Sequence, residues 1–536
     1  MDEVNENNTG LIPDNLQSEN VITNSNLNEI DNVSYDMECL NTNNNHITPI
    51  TVTLFLNESN RSIVIKTQNT KTILYAIKFK DFVSFIDETE MKPEIKNKIQ
   101  QQFNLNNQNK TLCLLTYIPL ISKTKCTPLF CCSCSCKQHY NEREVKTLHL
   151  LIENTNIDKV KQHMSLFCSK IHLNELQSKN RKRKLLFFVN PVSGPGLSVK
   201  IWNRAKAILD QTDIAYDVIF TERVRHAYDV VLNVGLNDYD GIVNCSGDGI
   251  LHEIVNGIFH REDKDIFANR VVVAALPAGS GNAFSKAITA YCGEDNSIET
   301  HVYIILKGKY KKVDLQEMEL RDVEKKVYSF LSLTYGMIAD IDLESEVIRC
   351  CGMVRTTIWG VLRWICLRDY YGALYTLPQN SNMDLNMIPS IKENIDEGLF
   401  VKENDNWRLF IAGNTQYIGE TIKPLPKARI DDGYNDIVSL KASTSGRCLL
   451  FKEMVMYMDD GDSLLDKDGN IAVQGVNYCK TKFWRLIPKL SLHDPDDVNN
   501  KLTFQGFFSI DGERYPICPV QCKTLEKVLN VYCTKD

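Results

Sequence analysis

The arrangement of apolar and polar positions changes texture three times along this chain. Residues 1–47 are rich in Asn, Asp, Glu and Ser with few clustered apolar side chains, too little to offset the entropy of ordering, so they read as a disordered tail. Residues 48–178 carry short β-type runs (TVTLFL, SIVIK, TLCLLTYIPL, KTLHLLIE) and a helical pattern at Asn156–Ser169, and read as a β-rich accessory module. From 179 to 313, apolar strands (LLFFV, YDVIF, GIVNC, VVVAAL) alternate with helix-period segments. That alternation predicts a Rossmann-like parallel α/β lobe. From 314 to 536, runs such as YSFLSLTY, WRLFIAG, NDIVSLK and FWRLIPKL predict a second, mostly antiparallel β-rich lobe. The fold class is therefore α/β with two lobes.

Composition narrows the classes of function. A chain of 536 residues with 43% hydrophobic content can fill more than one core. The net charge is −7 and no basic tract is long enough to follow a nucleic-acid backbone, so nucleic acid is not an expected partner. The start, MDEVNENNTGLIPDN, lacks the cationic and apolar regions of a secretory signal, and no apolar run reaches about 18 residues. A cytoplasmic protein that visits membrane surfaces peripherally and transiently is the expectation. The 18 cysteines then read as reduced thiols rather than a disulfide framework. The cluster Cys131–Cys136 admits an exposed loop, reversible acylation or a metal site, although its pairs nearly touch where zinc ribbons separate theirs; no metal ligand set is assigned.

Three glycine turns in the α/β region each follow a strand-like run and precede a helical one: Asn190–Gly196 (NPVSGPG), Ser246–Gly249 (SGDG) and Gly279–Ala283 (GSGNA). Helix N-termini at such junctions present unpaired N–H groups, and glycine admits a phosphate close to them. One such turn is usually an ordinary tight turn; three at matching junctions point to a polyphosphate site. Ile250, Leu251, Ile254, Val255, Ile258 and Phe259 repeat at helical spacing, which puts Asp248 in the turn itself. A carboxylate beside bound phosphates is costly unless proton transfer or a metal explains it, so Asp248 is the catalytic candidate. There is no G-x-x-x-x-G-K-[ST], no strict G-x-G-x-x-G, and neither H-R-D nor D-F-G, which excludes Walker-type NTPases, dinucleotide enzymes of that fingerprint and protein kinases.

The blocks FFVNPVSGPG, TERVRHA, YDGIVNCSGDGILHEIVNGI, LPAGSGNA and YGMIADIDLESEVIRCCGMVR resemble, in order, the diacylglycerol-kinase-type catalytic domain family and within it the sphingosine kinases. The likeness covers about residues 184–377 and is traceable to Ser509–Glu513 (SIDGE). It implies a two-lobe lipid kinase using ATP and Mg2+, with the second lobe binding lipid. By the resemblance, Asp248 accepts the proton of the attacking hydroxyl and Asp342 holds the ammonium of a sphingoid base. Asn190, Thr221, Ser246, Gly247, Gly249, Gly279, Ser280, Gly281, Arg349, Arg355 and Glu513 would line the nucleotide site. Taken alone, Asp340, Asp342, Glu344 and Glu346 would be a solvated acidic face with Arg349 and Arg355 as its surface partners. The first loop departs from the family pattern at Val192, Ser193 and Pro195, which removes side-chain cations from the phosphate cradle. Ceramide or diacylglycerol kinases and an inactive lipid-binding scaffold stay open as alternatives, as does a homodimeric assembly. The stretch Thr357–Leu377, read as helical with Ile358, Val361, Leu362, Ile365 and Leu374, and the Met-rich segment Met454–Met458 are the expected apolar material of the lipid site.

Overall fold

The structure is a computed structural model that describes residues 32–40, 49–57, 62–67, 73–78, 81–103, 110–128, 135–154, 156–161, 164, 183–351, 354–443, 464–469, 471, 475–489 and 506–535. Cys131–Cys134, Met454–Met458, residues 179–182 and the tail ahead of residue 32 lie outside the described residues.

The accessory module runs through β1 (Asn32–Leu40), β2 (Pro49–Asn57), β3 (Ser62–Thr67), β4 (Ile73–Lys78), β5 (Phe82–Asp87), α1 (Pro93–Phe103), β6 (Lys110–Tyr117), β7 (Leu120–Pro128), β8 (Ser135–Arg143) and β9 (Lys146–Glu153). Seven strands form an antiparallel sheet in the order β4-β3-β2-β1-β9-β6-β5, and β7-β8 is a separate hairpin. The tail expected over 1–47 is thereby corrected: β1 pairs with β2 along its full length and with β9 at Glu38–Leu40. Its apolar residues (Val33, Tyr35, Met37, Cys39) alternate rather than cluster, so a composition reading passes over a period-two strand. β6 shows the same period with two cores. Cys113 and Leu115 pack with Ile63, Ile65 and Leu150, while Leu112 and Leu114 pack with Ile99 of α1.

The next region holds β10 (Lys184–Val189), α2 (Leu197–Leu209), β11 (Ala215–Phe220), α3 (His226–Asn233), β12 (Gly241–Ser246), α4 (Asp248–Phe259), α5 (Lys264–Arg270), β13 (Val272–Pro277), α6 (Ala283–Cys292) and α7 (Ile298–Lys307). Strands β11-β10-β12-β13 are parallel in that order. β12 is buried throughout because both faces are covered. Leu186, Phe188 and Ile242 meet α3 and α4 through Val231, Leu251 and Ile254, and Phe187, Val189 and Val243 meet α2 and α7 through Trp202, Ala205 and Val302. The order reverses at β10, so loops leaving β10 and β12 diverge and open a crevice at their carboxyl ends.

The remainder comprises β14 (Tyr310–Leu320), β15 (Val327–Ser329), β16 (Ser332–Gly336), α8 (Met337–Glu344), α9 (Val354–Ile365), β17 (Tyr371–Thr376), β18 (Val401–Gly413), β19 (Asn435–Lys441), β20 (Val476–Thr481), β21 (Phe483–Pro488), β22 (Phe508–Ile510), β23 (Glu513–Tyr515) and β24 (Val520–Tyr532). These strands are antiparallel to one another, as expected. The boundary at 313/314 is softer than the sequence suggests. β24 returns to lie parallel to β13 (Val272↔Asn530, Val273↔Val531) while pairing antiparallel with β14 and β21. One 15-stranded sheet thus runs through both lobes. The expected helix over Thr357–Leu377 ends at Ile365, and Leu374 belongs to β17, where it is buried beside Trp407.

The module docks on the parallel lobe at two points. Lys92 pairs with Asp210 beyond α2, and Thr147 bonds Gln211. On the other side, Arg143 is 4% exposed, forks onto Glu294 (2.6 and 3.1 Å) and lies 3.6 Å over the Tyr303 ring of α7.

Candidate active site

All the glycine turns fall at the carboxyl edge of the parallel sheet. Asn190 follows β10, Gly247 follows β12 and Gly279 follows β13. The three loops touch. A Cβ built on Gly279 would stand 2.7 Å from Gly247 N and closer still to its Cα, so the second and third turns are stacked backbone on backbone. The Ser193 hydroxyl donates to Ala278 O at 3.4 Å, joining the first turn to the third. Within the first turn Asn190 Oδ1 accepts from Val192 N at 3.1 Å, and its carbonyl accepts from the Ser198 hydroxyl. Gly194 and Gly196 take φ of 51° and 77°, left-handed conformations that the flanking Val192 and Ser193 could not share cheaply. Asn282 closes the third turn, accepting from Gly279 N (2.8 Å) and donating to Gly279 O (3.0 Å).

Asp248 opens α4 and is partly accessible. Its carboxylate accepts from Ala283 N at 2.9 Å and Phe284 N at 3.2 Å, the first amides of α6. Burial pushes its carboxyl up to about 6; the two amides pull it back, and the charge of Asp511 adds to the rise. Gly281 keeps the way to it open, since a Cβ there would lie 3.1 Å from Asp248 Oδ2. Ser246 is buried at the end of β12, Ser280 is exposed, and Thr221 sits at the end of edge strand β11, its N–H donating to Val189 O. Thr221 is thus two strands from Gly247, on the far side of β10.

The second lobe reaches this edge through the β22–β23 hairpin. Glu513 lies against the first turn of α4, with a Cβ on Gly249 only 3.5 Å from its carboxyl carbon, and burial raises its pKa while His252 opposes the rise. On the facing strand of the hairpin the Ser509 hydroxyl donates to Asp342 Oδ2 at 2.7 Å. Asp342 is on α8; burial raises its pKa, and Ser509 and then Arg355 counteract that. The acidic run is helical, not extended. Asp340 and Glu344, one turn apart, are engaged by Arg368 (2.7 and 2.8 Å), with Arg363 also on Glu344, so these two are structural. Asp342 points away from that network, toward Ser509. Arg355, on α9, approaches the Glu346 carboxylate at 3.7 Å through Nη1, which is buried and has no hydrogen-bond partner. Arg349 falls in the turn Ser345–Cys351, and its side chain lies outside the described positions.

Sequence reasoning singled out Asp248, Asp342 and Glu513 but passed over the side chains that tie them together: Asn282, His252, Asp511 and Ser509. Asn282 and His252 lie in the blocks that carry the family resemblance, and Asp511-Gly512 between two strand-like runs is a hairpin-turn signal in its own right.

Comparison with known proteins fits this geometry. Residues 184–318 match the diacylglycerol kinase catalytic domain. The chain is 30% identical over 367 residues to sphingosine kinase 1 of Arabidopsis thaliana, spanning 65% of this chain and 71% of that protein. It is 30% identical over 369 residues to sphingoid long chain base kinase 4 of Schizosaccharomyces pombe, spanning 65% of this chain and 74% of that protein. The chain belongs to the sphingosine kinase family. Human sphingosine kinase 1 is 29% identical over 357 residues, which cover 62% of this chain and 86% of the human protein. A crystal structure of a putative diacylglycerol kinase from Bacillus anthracis superposes on 67% of this chain and 97% of its own, with 18% identity and a TM-score of 0.46. As a member of the sphingosine kinase family the protein is an ATP-dependent lipid kinase.

Proposed function

We propose that this kinase phosphorylates the primary hydroxyl of sphingoid bases, giving sphingosine 1-phosphate from sphingosine. The observation that carries the reading is the Asp248 carboxylate, held on the α6 amides between stacked glycine turns and raised toward neutrality by burial. A base whose pKa lies about one unit below neutral pH is ionised there yet basic enough to take a proton as it is lost. The hydroxyl oxygen attacks the γ-phosphorus of ATP, the bond to the β,γ-bridging oxygen breaks, ADP leaves, and the hydroxyl proton passes to Asp248. Gly247, Gly249, Ser280 and Gly281 offer amides to the phosphates and Gly279 lines the cradle, with Arg355 and Arg349 supplying positive charge. Among the described residues no three His, Cys, Asp or Glu side chains converge as metal ligands. Magnesium would therefore be held chiefly on the phosphates, where it supplies charge neutralisation.

Asp342 is the head-group residue in this reading, because a carboxylate backed by one hydroxyl keeps acceptor capacity for an ammonium. Access from a bilayer is supported by α9, whose Val354, Ile358, Val361, Leu362 and Ile365 are all exposed and repeat at helical spacing. Among the described residues no helix is long and apolar enough to cross a membrane, so contact would be peripheral. The test is transfer of labelled γ-phosphate from Mg-ATP to sphingosine, ceramide and diacylglycerol, with Asp248→Asn in parallel. Labelling of sphingosine alone, falling about 10²–10⁴-fold in the variant, supports both assignments. Preference for a neutral lipid removes the substrate assignment, and an active Asp248→Asn removes the general base.

A further inference from the structure

The turn between β22 and β23 is Asp511-Gly512, with φ of 53° and 86°, flanked by the pair Ile510↔Glu513. Two consecutive left-handed residues make the tight hairpin turn whose twist suits the strands. An aspartate at positive φ is uncommon, and it persists only where its surroundings hold it. Here they do. The Asp511 carboxylate accepts from the Ser329 hydroxyl (2.6 Å), Leu331 N (3.0 Å) and Ser332 N (3.2 Å) of the β15–β16 connection. Its other oxygen lies 2.8 Å from His252 Nδ1, on the second turn of α4. His252 Nε2 is in turn 2.9 Å from the Tyr515 hydroxyl, at the far end of β23. The imidazole, 6% exposed, thus grips the hairpin at two points on either side of Glu513.

This hairpin is also where both lobes contribute to the site. Glu513 abuts Gly249 in the first turn of α4, Ser509 holds Asp342, and α4 begins at Asp248. A helix is stiff over four residues, so a ring fixed at position 252 fixes the hairpin relative to position 248. We infer that His252 and Asp511 are positioning residues for phosphoryl transfer: the Asp511–His252–Tyr515 chain clamps the hairpin to α4 and so sets Glu513 and the Ser509–Asp342 pair in register with Asp248. The inference rests on the placement of nucleotide and base proposed above, but on none of their individual chemical roles.

The experiment compares His252→Ala, His252→Asn and Tyr515→Phe in the full-length protein, reading kcat and KM for Mg-ATP and for sphingosine, equilibrium Mg-ATP binding, and Tm. An asparagine amide can replace Nδ1 as the donor to Asp511, while alanine loses both grips. His252→Ala should lower kcat/KM for ATP by about 30–100-fold, in line with a misplacement near 1 Å. His252→Asn should recover it to within about tenfold of the parent, and Tyr515→Phe should be the mildest. A role in stability alone would lower Tm in all three and leave the kinetics of folded protein unchanged. That result, or equal impairment in His252→Ala and His252→Asn, overturns the inference. If His252→Ala does not fold, the other two decide, and parental ATP kinetics and binding in both overturn it. Asp248→Asn assayed alongside separates the outcomes, because full activity there removes the general base while leaving the clamp to be judged on His252. If no lipid is labelled by the parent, Mg-ATP binding by the same variants decides: weakened binding in His252→Ala with recovery in His252→Asn supports the clamp, and parental binding in every variant overturns it.

Discussion

Gly279→Ala tests whether the phosphate cradle is built by backbone stacking. The added methyl carbon would lie 2.7 Å from Gly247 N and closer still to its Cα, where an ordinary contact is about 3.5–4.0 Å, so the two turns must part by more than about 1 Å. Neither turn is free to yield. Gly279 is held at both its N–H and its C=O by Asn282, and the strands beneath are paired through Cys245↔Leu276 and Ser246↔Pro277. Forced overpacking of this kind costs about 1–3 kcal/mol, and displacing a catalytic group by 1 Å costs about 100-fold in rate. Gly247→Ala is the matched control, for its Cβ would meet Gly279 Cα at 3.4 Å and Ser193 Oγ at 4.0 Å, ordinary contacts. Without nucleotide, Gly279→Ala should therefore lower Tm by several degrees and Gly247→Ala should not. Steady-state kinetics should show kcat/KM for ATP falling about 100-fold in Gly279→Ala. Equal melting of the two variants, or retention of parental kcat/KM by Gly279→Ala, would refute the reasoning.

With the Asp248 carboxyl at about 6, log kcat/KM should rise with unit slope as pH increases toward 6 and level above it, and a limb below pH 4 would contradict the burial argument. The sign for stability is opposite. A raised carboxyl binds its proton more tightly in the folded state, so its contribution is fully present below pH 4 and is lost as pH rises through about 6; Asp248→Asn should flatten that part of a Tm-against-pH curve. Arg143→Ala leaves Glu294, 14% exposed, without its cation, and should cost roughly 3–5 kcal/mol at the module interface, read as a lower Tm and faster proteolysis of the module. Asp342→Asn preserves an acceptor for Ser509 while removing the charge, so KM for sphingosine should rise at least tenfold with KM for ATP unchanged; an equal effect on both would displace Asp342 from the head-group role.

What the sequence made legible follows from the range of the interactions involved. The parallel lobe was readable because β10, β12 and β13 are buried on both faces and its helices carry one apolar face, so burial writes an unbroken run or a 3.6-residue period into the chain. SGDG and GSGNA were readable because close backbone approach demands glycine. β1 was not, since a strand of alternating side chains drawn from a polar-rich stretch looks like its surroundings until a partner 9 to 25 residues away is known. Leu374 was placed on a helix because Thr357 to Leu377 is apolar apart from Arg363, Arg368 and Asp369, and periodicity alone does not divide α9 from β17. Least legible was the pairing of His252 with Asp511, separated by 259 residues, for which neither residue carries a local signal of the other.

The path of β24 explains why such long-range ties are required. This strand hydrogen-bonds to β13 on one side and to β14 and β21 elsewhere along its length, so the lobes share a strand rather than a linker. Hinge closure of whole domains usually turns on a few loop or element-terminal residues. A continuous sheet has none at this junction, and large rotation of one lobe against the other would break its ladder. The site must instead be brought into register locally, by the short hairpin that leaves the second lobe and lies on α4. Its tip is fixed by the Asp511 carboxylate, its stem by Tyr515, and its first strand by pairing Ser509 with Thr334. In such a scaffold the placement of Asp248, Glu513 and Asp342 relative to one another is set mainly by folding, and α9, tied to α8 through Trp359 and Arg363 on Glu344, belongs to the same frame while its apolar face stays uncovered.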